Sequence, residues 1–189
     1  MQFLARGKRG EVFLTTYKGK TVVVKQVCVT STAFGRLENE ADWLRKVNKY
    51  HIGPKLLHLE EGKLFMEYVK GIPIGEYLEK HQFTPALAKE ILDQCHVLDQ
   101  LHVTKFEMHH PTKHILIKPG KPSRKTVVMI DFERCRWTPK PKNVTQFVQF
   151  LQRYKPYKQK DVSELLKNYK AKQDKKTYTL LLRTLFDFG

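Results

Sequence analysis

The sequence is short of three things, and each shortage removes a class of protein. Cysteine occurs three times among 189 residues, at Cys28, Cys95 and Cys135, with no CxxC pair. A disulfide framework or a disulfide-linked partner is not expected, and the spacing fits reduced thiols in a cytosolic compartment. Long apolar runs are missing: "VVV" and "ILI" are the longest aliphatic stretches, and the opening "MQFLARGKRG" has no apolar segment of signal-peptide length. Membrane insertion and secretion are therefore not expected, and the expected location is the cytoplasm. Acid is the third shortage, with 19 Asp and Glu against 35 Lys and Arg and a net charge of +16. Thermally robust surfaces interleave both signs, whereas a surplus of this size points to a polyanion, nucleic acid ahead of an anionic membrane.

What is present divides the chain in two. Up to about residue 70, strand-like runs alternate with turns: "EVFLTTY", "KGK", "TVVVKQVCV", then "KLLHLE", "EGK", "LFMEYV". Both turns read as hairpins, and between the two pairs Leu37, Ala41, Leu44 and Val47 recur at helical spacing. Beyond "KGIPIG" the pattern turns helical, with Thr84 as N-cap, Pro85 at the first helical position and an apolar stripe of Leu87, Ile91, Cys95 and Leu98. Two short apolar strands follow, "HILI" and "TVVMI", joined by the basic turn "KPGKPSRK". From Asn143 onward only helices are expected, through Val144, Phe147, Val148 and Leu151, and again through Val162, Leu165, Leu166 and Tyr169. Asn143 with Gln146, and Asp161 with Glu164, read as N-terminal caps. The expected fold class is α+β, a sheet-rich lobe over residues 1–69 and a mostly helical lobe over 70–189.

Chemistry gathers at a few positions. Gly7 and Gly10, in "ARGKRGEVF" between strand-like runs, let backbone N–H groups approach a phosphate, although a plain hairpin turn reads the same way. In "VVVK", Lys25 ends an otherwise apolar run, where an ammonium needs an anionic partner. Glu40 lies three residues after Leu37 and four before Leu44, while Glu38 keeps company with Asp42 and Arg45. Glu40 therefore points inward, and a carboxylate on an apolar stripe calls for pairing with Lys25.

The order of glycine loop, strand lysine, helix glutamate, "MEYV", a loop before two short strands, and "IDFE" resembles the protein-kinase-like fold, over about residues 3 to 135. More closely, "PTKHILI", "IDFER" and "KPKNVTQF", with no "APE" segment, resemble the small, mainly archaeal group related to the RIO-type kinases. Its members are described as predicted Ser/Thr kinases, and it includes an archaeal RNA kinase acting on a tRNA uridine 2′-hydroxyl. The resemblance implies a two-lobed fold, ATP and Mg²⁺ as cofactors, and a role for each matching residue. Gly7 and Gly10 would cover the phosphates, Lys25 would hold the α and β phosphates, and Glu40 would orient it. Met66 would be the gatekeeper, with backbone groups of Glu67 and Val69 meeting adenine. Asp131 would hold the metal.

Departures from that pattern matter as much. Ala5 and Glu133 stand where the family has glycines, and the second change removes a pivot, which suggests a metal-binding segment held in one state. In "EMHHPTKHILI", His114 takes the place of the family's metal-binding Asn. Glu107 takes that of the catalytic Asp if the loop is two residues longer than usual; His109 does so at fixed spacing. Glu107 is preferred, as a carboxylate that accepts the hydroxyl proton late. His114 is read as a donor to phosphate more than as a metal ligand, and Lys113 as a counter-charge to the transferring phosphoryl group. Glu107, His109, His110 and His114 lack a standard zinc-ligand spacing.

Residues 138 to 189 hold twelve Lys and Arg against four Asp and Glu, half of the net charge. Lys140 and Lys142 follow the metal loop, and Arg153, Lys155, Lys158 and Lys160 alternate with Tyr154 and Tyr157, as lysines do around Tyr169. That mixture grips phosphates and offers rings to unpaired bases; solvated helix faces have the same composition. Fewer than sixty residues after "DFE" leave little room for a peptide-docking platform. The expectation is a monomeric, ATP- and Mg²⁺-dependent kinase acting on a tRNA 2′-hydroxyl, with tRNA or another structured RNA as partner and no membrane. A RIO-like Ser/Thr protein kinase and an RNA-binding pseudokinase are the alternatives.

Overall fold

The structure is a computed structural model and describes residues 1–6, 10–27, 35–119, 126–155 and 157–186. It divides into two units, Met1–Lys70 with Val128–Cys135, and Gly71–Val127 with Arg136–Gly189. The architecture is α+β.

In the first unit, strands β1 (Gln2–Arg6), β2 (Gly10–Tyr17), β3 (Lys20–Val27), β4 (Leu56–Glu60) and β5 (Lys63–Glu67) form one antiparallel sheet in the order β1-β2-β3-β5-β4. Both expected hairpins are present, and their chemistry is local. Lys18 and Gly19 have φ of 48° and 74°, Glu61 and Gly62 of 43° and 73°. Two successive left-handed residues make the turn whose twist matches the flanking strands, and glycine takes the second position without steric cost. Helix α1 (Arg36–Val47) lies between β3 and β4 in sequence. Its stripe of Leu37, Ala41, Leu44 and Val47 is buried, as are Val22 and Val24 of β3 and Leu64 and Met66 of β5. Periods of about 3.6 and of 2 thus supply one core.

The segment Val128–Cys135 counts with this unit although it lies far along the chain. Phe132 is fully buried, and a Cβ on Gly53 would sit 3.0 Å from both its ring and Leu44 Cδ2, so that glycine makes room for the aromatic anchor.

The second unit contains strand β6 (Ile72–Pro73), helices α2 (Ile74–Lys80) and α3 (Pro85–Gln100), and strands β7 (Val103–Thr104) and β8 (Ile115–Ile117). Strand β9 (Val127–Met129) begins in it and carries the chain into the first unit; β10 (Arg136–Trp137), α4 (Asn143–Leu151), α5 (Ser163–Lys172) and α6 (Lys175–Phe186) follow. Strand β6 pairs with β8, and β7 with β10. Thr84 caps α3 as expected, its hydroxyl accepting the Leu87 N–H at 3.2 Å. Helix α2 and the two-residue strands carry too few residues for periodicity to reveal.

Asn143 corrects the sequence reading. It is the first residue inside α4 and caps nothing; Lys142 is the N-cap, without a side-chain bond, so Gln146 closes no box. The Asn143 side chain is instead fully buried, accepting the Lys105 N–H at 2.9 Å and donating to Asp99 Oδ1 at 2.7 Å and to the Val103 carbonyl at 2.6 Å. Asp161 is likewise one residue outside the cap of α5, where it accepts the Ser163 N–H at 3.1 Å.

Asp99 is the centre of this polar core. It also accepts the backbone N–H groups of Asn143 and Val144 and the hydroxyl of Tyr169 at 3.0 Å. Tyr169 reaches His96 Nδ1 at 2.9 Å, and the His96 ring stacks on Tyr178 with centroids 4.1 Å apart. Tyr178 donates to Asp93 at 2.9 Å. Helices α3, α4, α5 and α6 are thus cross-linked by hydrogen bonds whose loss would leave buried groups unsatisfied.

Burial holds the His96 pKa below the usual 6.5, although Asp93 and Asp174 pull it up. A base whose folded pKa is depressed stabilises the fold above its unfolded pKa, and that stability is lost as pH falls through the folded value. His96→Phe keeps a ring against Tyr178 and removes the titration. Its unfolding free energy, measured in urea from about pH 7 down to about pH 5, is expected to fall less steeply than that of the wild type; an equal slope would contradict the neutral, half-buried imidazole.

Candidate functional site

In the first unit the end of β3 and the inward face of α1 meet the segment after β9. Lys25 Nζ lies 2.7 Å from Glu40 Oε2, 3.0 Å from Glu133 Oε2 and 3.3 Å from Asp131 Oδ1. Side-chain exposure is 2% for Glu40, 14% for Glu133, 16% for Lys25 and 36% for Asp131, so the cluster opens toward solvent on the Asp131 side. Arg36 stands 3.4 Å from the other Glu133 oxygen. Burial pulls the Lys25 pKa down, but Glu40, Asp131 and Glu133 together outweigh it and hold the ammonium above its ordinary value. Burial raises Glu40, and Asp131 adds to the rise against the pull of Lys25. The Lys25 shift comes from the carboxylates around it, whereas the Glu40 shift comes first from burial, which the nearby ammonium does not fully offset.

The acids are fixed through the backbone. Glu40 Oε1 accepts the Phe132 N–H at 3.0 Å, and the Asn39 amide donates to the carbonyls of Glu133 at 2.9 Å and Cys135 at 3.1 Å. Adjacent α1 side chains therefore clamp the strip that carries Asp131, which itself adopts a left-handed φ of 64°. Such a conformation in a non-glycine residue persists only where the surroundings over-determine it. Asn39, Arg36 and the pairing of Glu133 escaped the sequence reading. Only Glu133 left a signal, as a charge in place of a glycine.

Gly10 opens β2, and a Cβ there would come within 2.7 Å of the Gln26 carbonyl, so glycine permits close strand approach. Gly10 also lines a small pocket with Lys25, Gln26, Val27, Arg36, Leu37 and Glu133. Gly7 lies outside the described residues, as do Cys28 and most of the basic turn after "HILI". Met66 is buried on β5. The Glu67 N–H is bonded to the Lys55 carbonyl at 2.9 Å, so of its backbone groups the carbonyl is the one to weigh for a ligand. Val69 is half-buried.

In the second unit the quoted loop has its own internal pairing. His114 Nε2 bonds the Glu107 carboxylate, which joins the two residues read as proton acceptor and phosphate donor. Met108 is fully buried, Pro111 is buried, and the Thr112 carbonyl accepts the Gly75 N–H at 3.0 Å, so the loop is anchored from below while Lys113, His109 and His110 face outward. Glu107 has φ of 70°. Arg153 reaches His110 Nδ1 at 3.3 Å, which ties the start of the basic tail to this loop. At the base of β9, Glu90 accepts the N–H groups of Thr126 and Val127, and Gln94 donates to the Val127 carbonyl.

Lys140, Lys142, Arg153, Lys155 and Lys158 are exposed and Lys160 half-exposed. The tyrosines correct the expectation for the tail. Tyr157 and Tyr169 are 1% and 0% exposed, with Tyr157 against Phe186 and Tyr169 in the Asp99 network, and half-buried Tyr154 packs on Phe83 and Phe150. Those rings serve the core, not bases.

Among the described residues no helix is long and apolar enough to cross a membrane. Cys95 and Cys135 are both buried, and neither is in a disulfide. No protein-family model matches the chain, and no curated protein matches it.

Removing one partner of a buried ion pair costs about 3–5 kcal/mol. Because Lys25 keeps Asp131 and Glu133, Glu40→Ala is expected at the lower end, about 3 kcal/mol by urea unfolding. Glu133→Gln relieves repulsion among the acids and is expected within about 1 kcal/mol of the wild type. A Glu133→Gln loss as large as that of Glu40→Ala would contradict the shared-ammonium reading.

Proposed function

We propose that the protein is a kinase of the RIO-related, protein-kinase-like type that transfers the γ-phosphate of ATP to a ribose 2′-hydroxyl of tRNA. The observation that carries the reading is Lys25 held by Glu40 beside Asp131, with Glu40 also holding the backbone after Asp131. That arrangement is what phosphoryl transfer asks of a protein: a fixed cation for polyphosphate and a fixed carboxylate for a metal.

Within this reading each residue has a task. Lys25 neutralises the α and β phosphates, and Glu40 keeps its ammonium charged and aimed. The Glu67 carbonyl and the Val69 N–H receive adenine below Met66, and Gly10 lets the β2 backbone approach phosphate. Carboxylate oxygens of Glu40, Asp131 and Glu133 lie within 4.8 Å of one another, a hard-oxygen donor set of the kind magnesium takes. Glu40 is engaged by Lys25 and Phe132, so Asp131 and Glu133 would hold Mg²⁺, which supplies charge neutralisation across the phosphates. The 2′-oxygen attacks the γ-phosphorus in line, the bond to the β-bridging oxygen breaks, and ADP departs. Glu107 accepts the hydroxyl proton, oriented by His114, and Lys113 balances charge on the transferring group. His114 thus acts through Glu107, and a metal would rest on carboxylates. Lys140, Lys142, Arg153, Lys155, Lys158 and Lys160 bind the RNA backbone, consistent with a net charge of +16.

Incubation with γ-labelled ATP, Mg²⁺ and total tRNA, followed by nuclease mapping, is expected to place label on an internal 2′-oxygen. Asp131→Asn should abolish labelling, and Glu107→Gln should lower kcat about 10²- to 10⁴-fold. Label on a protein acceptor in place of RNA supports a RIO-like Ser/Thr kinase. Nucleotide binding without any turnover supports an RNA-binding pseudokinase.

A further inference from the structure

With Tyr157 and Tyr169 buried, the question of which ring faces a nucleic acid has a different answer. Trp137 on β10 is 63% exposed, the most exposed aromatic side chain among the exposed large apolar residues described. Strand β10 pairs with β7, with Trp137 opposite Val103 and Arg136 opposite Thr104, and the Thr138 N–H donates to the His102 carbonyl at 2.9 Å. This two-stranded ribbon fixes the backbone beneath the ring. The exposed His102 imidazole lies 6.0 Å from the indole and is tilted by 43°. Arg136 turns away to lie 5.2 Å over the Phe106 ring.

The segment that carries the ring is cationic. From Arg134 to Lys142 the chain reads "RCRWTPKPK", with four cations and no acid. Gln173 donates to the Pro141 carbonyl at 2.8 Å, which draws the end of α5, with exposed Lys170 and Lys172, to the same strip. An exposed tryptophan rigidly mounted among phosphate-binding side chains has the composition of a stacking platform for single-stranded nucleic acid. A duplex hides its base faces except at its ends, so along a strand it is an unpaired base that can lie on the indole. A peptide would use the ring as well, but the excess of cations over acids matches a polyphosphate backbone.

We infer that Trp137 stacks on an unpaired base of a single-stranded RNA segment whose phosphates run over Lys140 and Lys142. This rests on the proposed RNA substrate and identifies which part of it is gripped, a loop or an end in place of a stem.

The test uses the full chain without ATP, so it reads binding independently of transfer. The protein has two tryptophans, and Trp43 is 7% exposed, so quenching by added RNA reports on Trp137. A short single-stranded oligouridylate is expected to quench the fluorescence, and a blunt RNA duplex of equal length is not. By anisotropy of a labelled oligomer, Trp137→Ala should weaken binding about tenfold and Trp137→Phe about threefold or less. Lys140→Gln should lower the salt dependence by about one phosphate contact. Unchanged urea midpoints establish that the variants are folded. Binding by Trp137→Ala within about twofold of wild type, equal quenching by duplex, or no RNA binding at all overturns the inference. Binding that follows this pattern without phosphate transfer rejects the proposed reaction and leaves the stacking site standing.

Discussion

A single ammonium shared among three carboxylates organises the first unit, because the Lys25 charge cannot be housed at the end of an apolar strand without acids and those acids cannot be housed without it. Glu40 is 2% exposed and reaches Lys25 at 2.7 Å while accepting the Phe132 N–H at 3.0 Å. One carboxylate therefore couples the middle strand, the helix and the strip after β9, with Asn39 adding two further bonds to that strip. The charges do not cancel. Lys25 and Arg36 face Glu40, Asp131 and Glu133, which leaves an excess of one negative charge. An incoming anion would meet that excess, whereas a cation arriving with it would relieve it. Within the proposed reaction, metal and nucleotide thus belong together for electrostatic reasons that this cluster already contains.

The second unit solves a different problem by related means. Its loop at Glu107 carries polar chemistry outward, yet what steadies it is inward: buried Met108 and Pro111, and beneath them Lys105 and Asn143 in the Asp99 network. Apolar packing alone would tolerate small slips of α3 against α4. A carboxylate that accepts two backbone N–H groups, an amide and a phenol does not, since each slip would leave a buried group unpaired. Net stability gained by such a network is modest, because each bond replaces one to water. Resistance to such slips matters where a side chain must be held for proton transfer within hydrogen-bond reach.

How much of this was legible in the sequence depended on the range of the interaction involved. Hairpins at Lys18-Gly19 and Glu61-Gly62, the Thr84 cap and the stripe on α1 are written in neighbouring residues, and each was readable. Glu40 was readable at longer range because burial leaves a periodic signature: a carboxylate on an apolar stripe has to find a cation. Asn143 was misread for the complementary reason. An Asn ahead of an apolar helix is locally a cap, and nothing local records that Asp99 waits 44 residues earlier. Tyr157 and Tyr169 failed similarly, since lysines on either side of a tyrosine describe the helix surface and say nothing about which way the ring turns. Clamping by Asn39 left no trace, because a backbone carbonyl as partner imposes no pattern on the sequence.

Exposure of Trp137 completes the argument about charge. A large aromatic ring facing water is an invitation to self-association, and isolated ribbons of two short strands add open edges to that risk. Surrounding cations oppose association between copies of the chain while favouring anything polyanionic, so the same residues act in both directions. Inside the protein the acids Glu40, Glu90 and Asp99 are turned toward backbone and cationic partners and are lost to the surface, as are Lys105 and most of Lys25. More acids than cations are withdrawn, so the surface keeps the whole formal excess of +16. What distinguishes the strip around β10 is therefore not its share of the surplus but its geometry. Here positive charge lies along a short segment around one ring, its backbone held by the pairing with β7 and by Gln173.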